Sequence, residues 1–391
     1  MSKNINKIIT SILSLTLITS LSSCGDKKNS SSENNSSSST STILPVLKDC
    51  PITENTIFGS ATVLISINDF NDLGFCLGDS CDVTFSNGFS LADVPYYNGY
   101  YVKNGEAVIV AYPSDEYISV TFNNVGIWDN ASLSEDDTVT ITLNESSKYI
   151  ATQEALGQSY SLDRVDYSSN EEFSNFRVLK GGHLKENLIY RGASPVDNSR
   201  NRAKITDSLL LENDIECIID LADTELTLNS YFEKEDFASE YAQNIYDNNK
   251  MILLGMGSSY TSVTYAQKVV EGFKFMLNNQ GPYYVHCMEG KDRTGFVCFL
   301  IEALTGATYQ EMKEDYMTTY YNYYKISSSK TPEKYEAVVS LYFDSFVECL
   351  HGTNDTDKYE TLSLVDDAKE YLSLAGMSQE DIQSFITLIS K

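Results

Sequence analysis

The sequence predicts an α/β domain with a central sheet flanked by helices, preceded by a small all-β domain. Three observations carry that expectation. From about residue 151 onward, apolar runs of strand length alternate with helical patterns. Between about 44 and 150 the runs are short, strand-like and separated by Asn-Gly turn signals. Finally, Tyr283-Tyr284-Val285 leads through a tight loop into the apolar stretch Phe296-Val297-Cys298-Phe299-Leu300-Ile301. That strand–loop–helix unit is the stretch around which the remainder is organised.

Composition bounds the function classes. A chain of 391 residues allows two domains plus processing segments, and 42% hydrophobic residues suffice for real cores. The formal net charge of −27 argues against nucleic acid and against generally anionic partner surfaces. A phosphate site has to be a local positive patch on an acidic body. His183, His286 and His351 are too few and too far apart for a His-based metal cluster, and no pair of Cys residues two apart exists. No metal or other cofactor is expected.

Lys3 and Lys7 followed by the apolar stretch Ile8 to Leu21 read as a targeting segment, too short to span a membrane in the mature chain. Leu21-Ser22-Ser23-Cys24-Gly25 resembles a bacterial lipobox. The resemblance implies a lipoprotein signal peptide over 1–23, with Cys24 carrying the lipid and anchoring the protein outside the cytoplasm at the cell membrane. Residues 24–43 are Ser- and Asn-rich with almost no apolar side chains, and read as a flexible tether.

In the all-β region, 44–150, the runs Ala61–Ile67, Val83–Phe85 and Val139–Leu143 read as strands. Asn104-Gly105 lies between Tyr100-Tyr101-Val102 and Ala107-Val108-Ile109-Val110, which predicts a β-hairpin. Trp128 reads as a core residue, and no functional motif stands out. Export permits disulfides, with the pairing open.

Residues 151–391 carry the chemistry. A helix over about Arg202–Glu212 leads to the strand Cys217–Leu221. Met251–Leu254 is a further strand, and Thr264–Leu277 a helix stopped by Gly281-Pro282. Ser378-Gln379-Glu380-Asp381 starts the last helix with a capping box. After the strand at 283–285 come His286-Cys287 and then Met288-Glu289-Gly290-Lys291-Asp292-Arg293-Thr294-Gly295. A loop that runs into a helix N-terminus aims backbone N–H groups and a partial positive charge at one point. A thiol held there beside an arginine is favoured as the nucleophilic thiolate. Arg293 has the geometry to hold two phosphate oxygens at once. Attack of sulfur on a phosphoryl group is the chemistry this arrangement suggests.

His-Cys, five residues, then Arg-Thr-Gly resembles the signature of the cysteine-based protein tyrosine phosphatases. With Gly290-Lys291-Asp292-Arg293-Thr294-Gly295 it is most similar to the bacterial tyrosine phosphatases that also accept phosphoinositides. Asn175-Phe176-Arg177 with Gly181-Gly182, then Leu188 to Ser194, resemble further segments of the same family, and Asp315-Tyr316-Met317 matches another. Ala222 stands where that family usually has Arg. The resemblance spans about 170–391 and implies an α/β phosphatase fold. It also implies hydrolysis of phosphate monoesters through a cysteinyl phosphate, with phosphotyrosine as the leading substrate class and phosphoinositides or inositol phosphates as a further one. In this reading Cys287 is the nucleophile. Arg293 and the loop from Met288 through Glu289, Gly290 and Lys291 bind phosphate, Thr294 supports the sulfur, and His286 braces the loop. The stretch 248–286 contains no Asp, so the expected general acid is Asp292, with Asp220 or Asp223 second. A catalytically inactive, surface-anchored module that captures phosphorylated ligands is the alternative.

Overall fold

The computed structural model describes residues 44–391, which form one compact unit. The expected signal peptide, tether and lipidated Cys24 lie outside the described residues. The architecture is mixed α/β, as the sequence predicts, with a closed β-barrel before a helix-flanked sheet.

The barrel is built from β1 (Val46–Asn55), β2 (Ser60–Ser66), β3 (Ser80–Phe85), β4 (Ser90–Tyr97), β5 (Ala107–Val110), β6 (Tyr117–Phe122) and β7 (Thr138–Glu145), with the short helix α1 (Ile67–Asp72) after β2. It closes because β1 pairs with both β2 and β7, in the order β1-β2-β6-β5-β4-β3-β7. Closure leaves no open sheet edge to be covered. Alternation along β7 sends Val139, Ile141 and Leu143 inward, where they meet Ala61, Val63, Val83, Phe85 and Val120. Trp128 joins that core.

The expected hairpin at Asn104-Gly105 does not form. Its turn exists: Gly105 has φ +81°, and the Glu106 amide donates to the Lys103 carbonyl at 3.1 Å. Residues 100–102, however, are not a strand. The Val102 carbonyl accepts from the Asn123 side chain at 2.7 Å, and the Gly105 amide donates to Asn123 O at 2.9 Å. β5 is then drawn between β6, antiparallel, and β4, parallel. Val108, Ile109 and Val110 are all buried, and β5 takes its neighbours from β6 at four positions and from β4 at two, in place of residues 100–102.

Helix α2 (Ile150–Leu156) links barrel to sheet and packs against α10 (Pro332–Val338). The second sheet has the order β11-β10-β12-β9-β8. Its strands are β8 (Arg177–Val178), β9 (Ile189–Gly192), β10 (Cys217–Asp220), β11 (Met251–Leu253) and β12 (Tyr283–His286). All neighbours are parallel except β8, which runs antiparallel to β9 at the edge. β9, β10 and β12 are buried at every residue, which is why they read as mainly apolar runs, broken by Arg191 in β9 and ended by Asp220 and His286 in β10 and β12.

Helices enclose this sheet: α3 (Asn170–Phe173), α4 (Ala203–Glu212), α5 (Glu225–Phe232), α6 (Glu240–Asp247) and α7 (Val263–Asn278) precede α8 (Asp292–Leu304). They are followed by α9 (Tyr309–Tyr324), α10, α11 (Asp344–His351), α12 (Val365–Leu374) and α13 (Gln379–Ile389). Helix α8 is buried at every residue from Thr294 to Leu304, so its apolar run has no polar face. It is the central helix, and β12 is the central strand feeding it.

Candidate active site

Ligands in open parallel sheets bind beyond the C-terminal ends of the strands. β12 ends there at His286, and Cys287 to Lys291 form the loop that enters α8. Every carbonyl from Met288 to Gly290 is held from outside the loop. The Ser194 amide donates to Met288 O at 3.1 Å. The Tyr323 hydroxyl donates to Glu289 O at 2.7 Å. The Asn175 amide nitrogen donates to Glu289 O at 3.3 Å and to Gly290 O at 3.1 Å, and Arg191 Nη2 donates to Gly290 O at 2.9 Å. None of the amide N–H groups from Met288 to Arg293 has a hydrogen-bond partner among the described residues. With the carbonyls pinned outward and the amides uncommitted, the loop is a concave set of donors at a helix N-terminus.

Gly290 makes this path possible. Its φ is +66°, and a Cβ there would overlap the Gly192 carbonyl at the end of β9. The brace beneath the loop is ionic. Buried Arg191 pairs with Asp315 at 2.5 Å, and Arg177 pairs with the same carboxylate at 2.7 Å. Burial alone would raise the Asp315 carboxyl, but the two guanidiniums outweigh it and keep it below the usual carboxylate range.

Cys287 is buried at the base of the loop. Arg293, in the first turn of α8, donates through Nη1 to the Met256 carbonyl at 3.0 Å, which fixes one end of the guanidinium. The Thr294 hydroxyl is buried and has no hydrogen-bond partner among the described residues, so it is an unspent donor below the loop. His286 Nδ1 lies 3.3 Å from Cys287 O, and burial pushes the ring down to about 4, so it is neutral at physiological pH.

The charged loop residues engage one another. Lys291 Nζ is 3.8 Å from both Glu289 and Asp292 carboxylates and 5.9 Å from the Tyr320 and Tyr324 ring centres. Burial disfavours the Lys291 charge, but Asp292, Tyr324 and Glu289 outweigh it and hold the ammonium well above the usual lysine range. The Glu289 carboxylate also accepts from the Tyr160 hydroxyl and lies 3.4 Å from Arg200. Asp292 keeps 61% of its side chain exposed. Its carboxylate accepts no backbone hydrogen bond among the described residues, and its ionic contact is with Lys291.

Asp220 and Asp223 stand at the end of β10, beside β12. Asp220 Oδ1 accepts from the Ala222 and Asp223 amides at 2.8 and 3.0 Å, and its Oδ2 is 3.9 Å from His286 Nε2. Burial, then the Asp220 charge, push Asp223 up to about 7. The fold therefore gathers Cys287, the loop, Arg293, Thr294, His286 and both second-choice acids at one sheet end. Sequence reasoning met Asn175, Arg191 and Asp315 only as segments resembling the family and missed their bracing role, and it missed Tyr323 altogether. The visible signal was Arg191 within an otherwise apolar strand, which needs a partner if buried.

A thiol at the end of a central parallel strand, ringed by free amides and an arginine at a helix N-terminus, is an arrangement suited to cysteine-based phosphoryl chemistry. Residues 171–388 match the model of the tyrosine phosphatase family. The chain belongs to that family. Among solved structures it is similar to an uncharacterized conserved protein from Thermotoga maritima, at 20% identity over 24% of this chain and 34% of that one, with a TM-score of 0.21. The match thus spans about a third of that protein's length. It is also similar to the core catalytic domain of the PP-IP phosphatase SIW14 from S. cerevisiae in complex with citrate, at 16% identity over 46% of this chain and 96% of that chain, with a TM-score of 0.25. No curated protein matches significantly.

Proposed function

We propose that the protein hydrolyses phosphate monoesters, with protein phosphotyrosine as the leading substrate and phosphoinositides or inositol phosphates as the second class. The observation that carries this reading is the set of unpartnered amides from Met288 to Arg293 above the buried Cys287. The Cys287 thiolate attacks phosphorus, the ester oxygen leaves with a proton from Asp292, and phosphate remains on sulfur. Water then attacks phosphorus, loses its proton to Asp292, and inorganic phosphate departs as the thiolate is restored. The loop amides and Arg293 hold the three phosphoryl oxygens as charge spreads over them in the transition state. Exposure of Asp292, together with the lack of any backbone bond to its carboxylate, supports its assignment as acid. The Thr294 hydroxyl is free to donate to the sulfur.

The Leu21–Gly25 motif supports an extracytoplasmic protein held at the cell membrane by lipid on Cys24. Cys287→Ser is expected to abolish turnover of p-nitrophenyl phosphate while retaining affinity for tungstate. Arg293→Lys is expected to lose both turnover and that affinity. Activity that survives Cys287→Ser and disappears with a chelator overturns the mechanism.

A further inference from the structure

Lys291 and Asp292 sit within a wall of tyrosines. Tyr320 and Tyr324 lie 5.6 Å apart by ring centres, and Tyr342 stacks on Tyr320 at 6.5 Å. These three come from the phosphatase part, but the wall does not end there. Burial pushes the Tyr342 hydroxyl up to about 12, and its ionisable neighbours are Lys291, Asp292, Tyr101 and Tyr324. Tyr101 belongs to the barrel, in the loop between β4 and β5 that fails to become a hairpin. Its ring packs on Tyr97 at 5.6 Å and fills the space that a side chain at Gly99 would need. Two residues on, Lys103 pairs with Glu348 of α11 at 2.5 Å, which ties this loop to the phosphatase part.

Behind Tyr101 lies a cleft of about 540 Å³ between the barrel and the α10–α11 segment. Its charged lining is Asp93, Glu106, Asp344 and Glu348 against Lys103 alone. Its floor includes Leu341, in a π-helical turn over Val339–Phe343 that carries Tyr342 on the adjoining side. Such turns are common at functional sites. The same turn thus faces both the cleft and the tyrosine wall beside the phosphate loop.

We propose that the barrel forms one side of the substrate site: Tyr101 contacts the ring of a phosphotyrosine whose phosphate occupies the Cys287 loop, and the cleft behind it takes the flanking polypeptide, favouring basic flanks. This rests on the phosphatase reading above and assigns the barrel a part in it. Charge decides against a polyphosphorylated occupant. The loop's cation Lys291 is already shared between Glu289 and Asp292, and the adjoining cleft is predominantly acidic. A single aryl phosphate meets the free amides and Arg293 without needing Lys291, and its ring meets an aromatic wall.

The test uses the full chain and one peptide sequence phosphorylated on Tyr or on Ser, each with Lys-rich or Glu-rich flanks, with inositol hexakisphosphate as the polyanionic probe. Wild type is expected to prefer the Tyr form, and Lys flanks over Glu flanks by about tenfold at low salt, with that second preference fading as salt rises. Tyr101→Ala is expected to reduce the Tyr-to-Ser ratio of kcat/KM by about 2- to 13-fold, the range of an aromatic pair, mainly through KM. Tyr101→Phe should keep the ratio. Tyr101→Leu retains apolar bulk against Tyr97, so it tests the ring in a folded protein, and should lose the ratio as Ala does. An unchanged ratio in both the Ala and Leu variants, a preference for Glu flanks, or a higher kcat/KM on inositol hexakisphosphate than on the phosphopeptide overturns the proposal and leaves the phosphatase reading standing. Absence of wild-type turnover on every probe overturns both.

Discussion

Replacing Asp315 with Asn tests whether the phosphate loop is held by its ionic brace. The side chain keeps its shape and loses its charge, leaving Arg177 and Arg191 buried together without a counter-ion. Breaking a buried pair by removing one partner costs about 3–5 kcal/mol. The lower end applies here, about 3 kcal/mol, because the Asn oxygen still accepts one hydrogen bond. At roughly 2 °C per kcal/mol for a large unit, the melting temperature should fall by about 6 °C. The effect on rate follows from position. Arg191 holds the Gly290 carbonyl outward at 2.9 Å, and misplacement of a reacting group by about 1 Å costs on the order of 100-fold. Thermal melting by circular dichroism gives the first quantity, and kcat/KM on p-nitrophenyl phosphate, measured well below both transitions, gives the second. Tungstate affinity should fall with kcat/KM. Pairing the change with Arg191→Met should show strong non-additivity, since both act on the same carbonyl. A variant that melts 6 °C lower yet keeps full kcat/KM would refute the reasoning, because the network would then hold the fold and not the loop.

Asp292→Asn should slow turnover of phosphotyrosine by about 100-fold or more while slowing p-nitrophenyl phosphate far less, since general acid assistance matters most for poor leaving groups. The same asymmetry appearing in Asp223→Asn instead would move the acid to the end of β10. Asp223 titrates in the folded protein at about 7, against about 4 in an unfolded chain. The folded state therefore keeps a proton that the unfolded state releases between those values. The associated stability is fully present below about pH 4 and is lost as pH rises through 7. Asp223→Asn should accordingly gain melting temperature relative to wild type as pH increases from 4 to 8, and a constant difference across that range would contradict the raised titration. Cys24→Ala should shift the protein from the membrane fraction to the soluble fraction, and unchanged partitioning would remove the lipid anchor from the reading.

Much of the site's local geometry was legible in the sequence because it is contiguous. The run from Tyr283 to Gly295 carries strand, loop, thiol, arginine and helix start on neighbouring residues, and local order survives folding. The buried strands β10 and β12 were legible for the same reason, as apolar runs with turn signals beside them. What could not be read is non-local. Arg191 and Asp315 are separated by 124 residues, so no spacing rule links them. Asn104-Gly105 has the chemistry of a hairpin turn and makes the turn, but the choice of partner for β5 was decided by strands β4 and β6. The placement of Tyr101 near Tyr342 was hidden likewise, because only tertiary packing carries a barrel loop toward a motif far along the chain.

The phosphate loop is braced by the protein itself, through the Asn175, Arg191 and Tyr323 contacts to its carbonyls. A cradle so prepared makes little distinction between an ester-bound phosphoryl group and the free phosphate that the reaction releases, because both present oxygens to the same amides. Such uniform binding lowers KM for substrate and also slows departure of product. The enzyme should therefore be subject to product inhibition, with inorganic phosphate competing directly against substrate. Its turnover would then report the phosphate content of the surrounding medium, running fastest where phosphate is scarce.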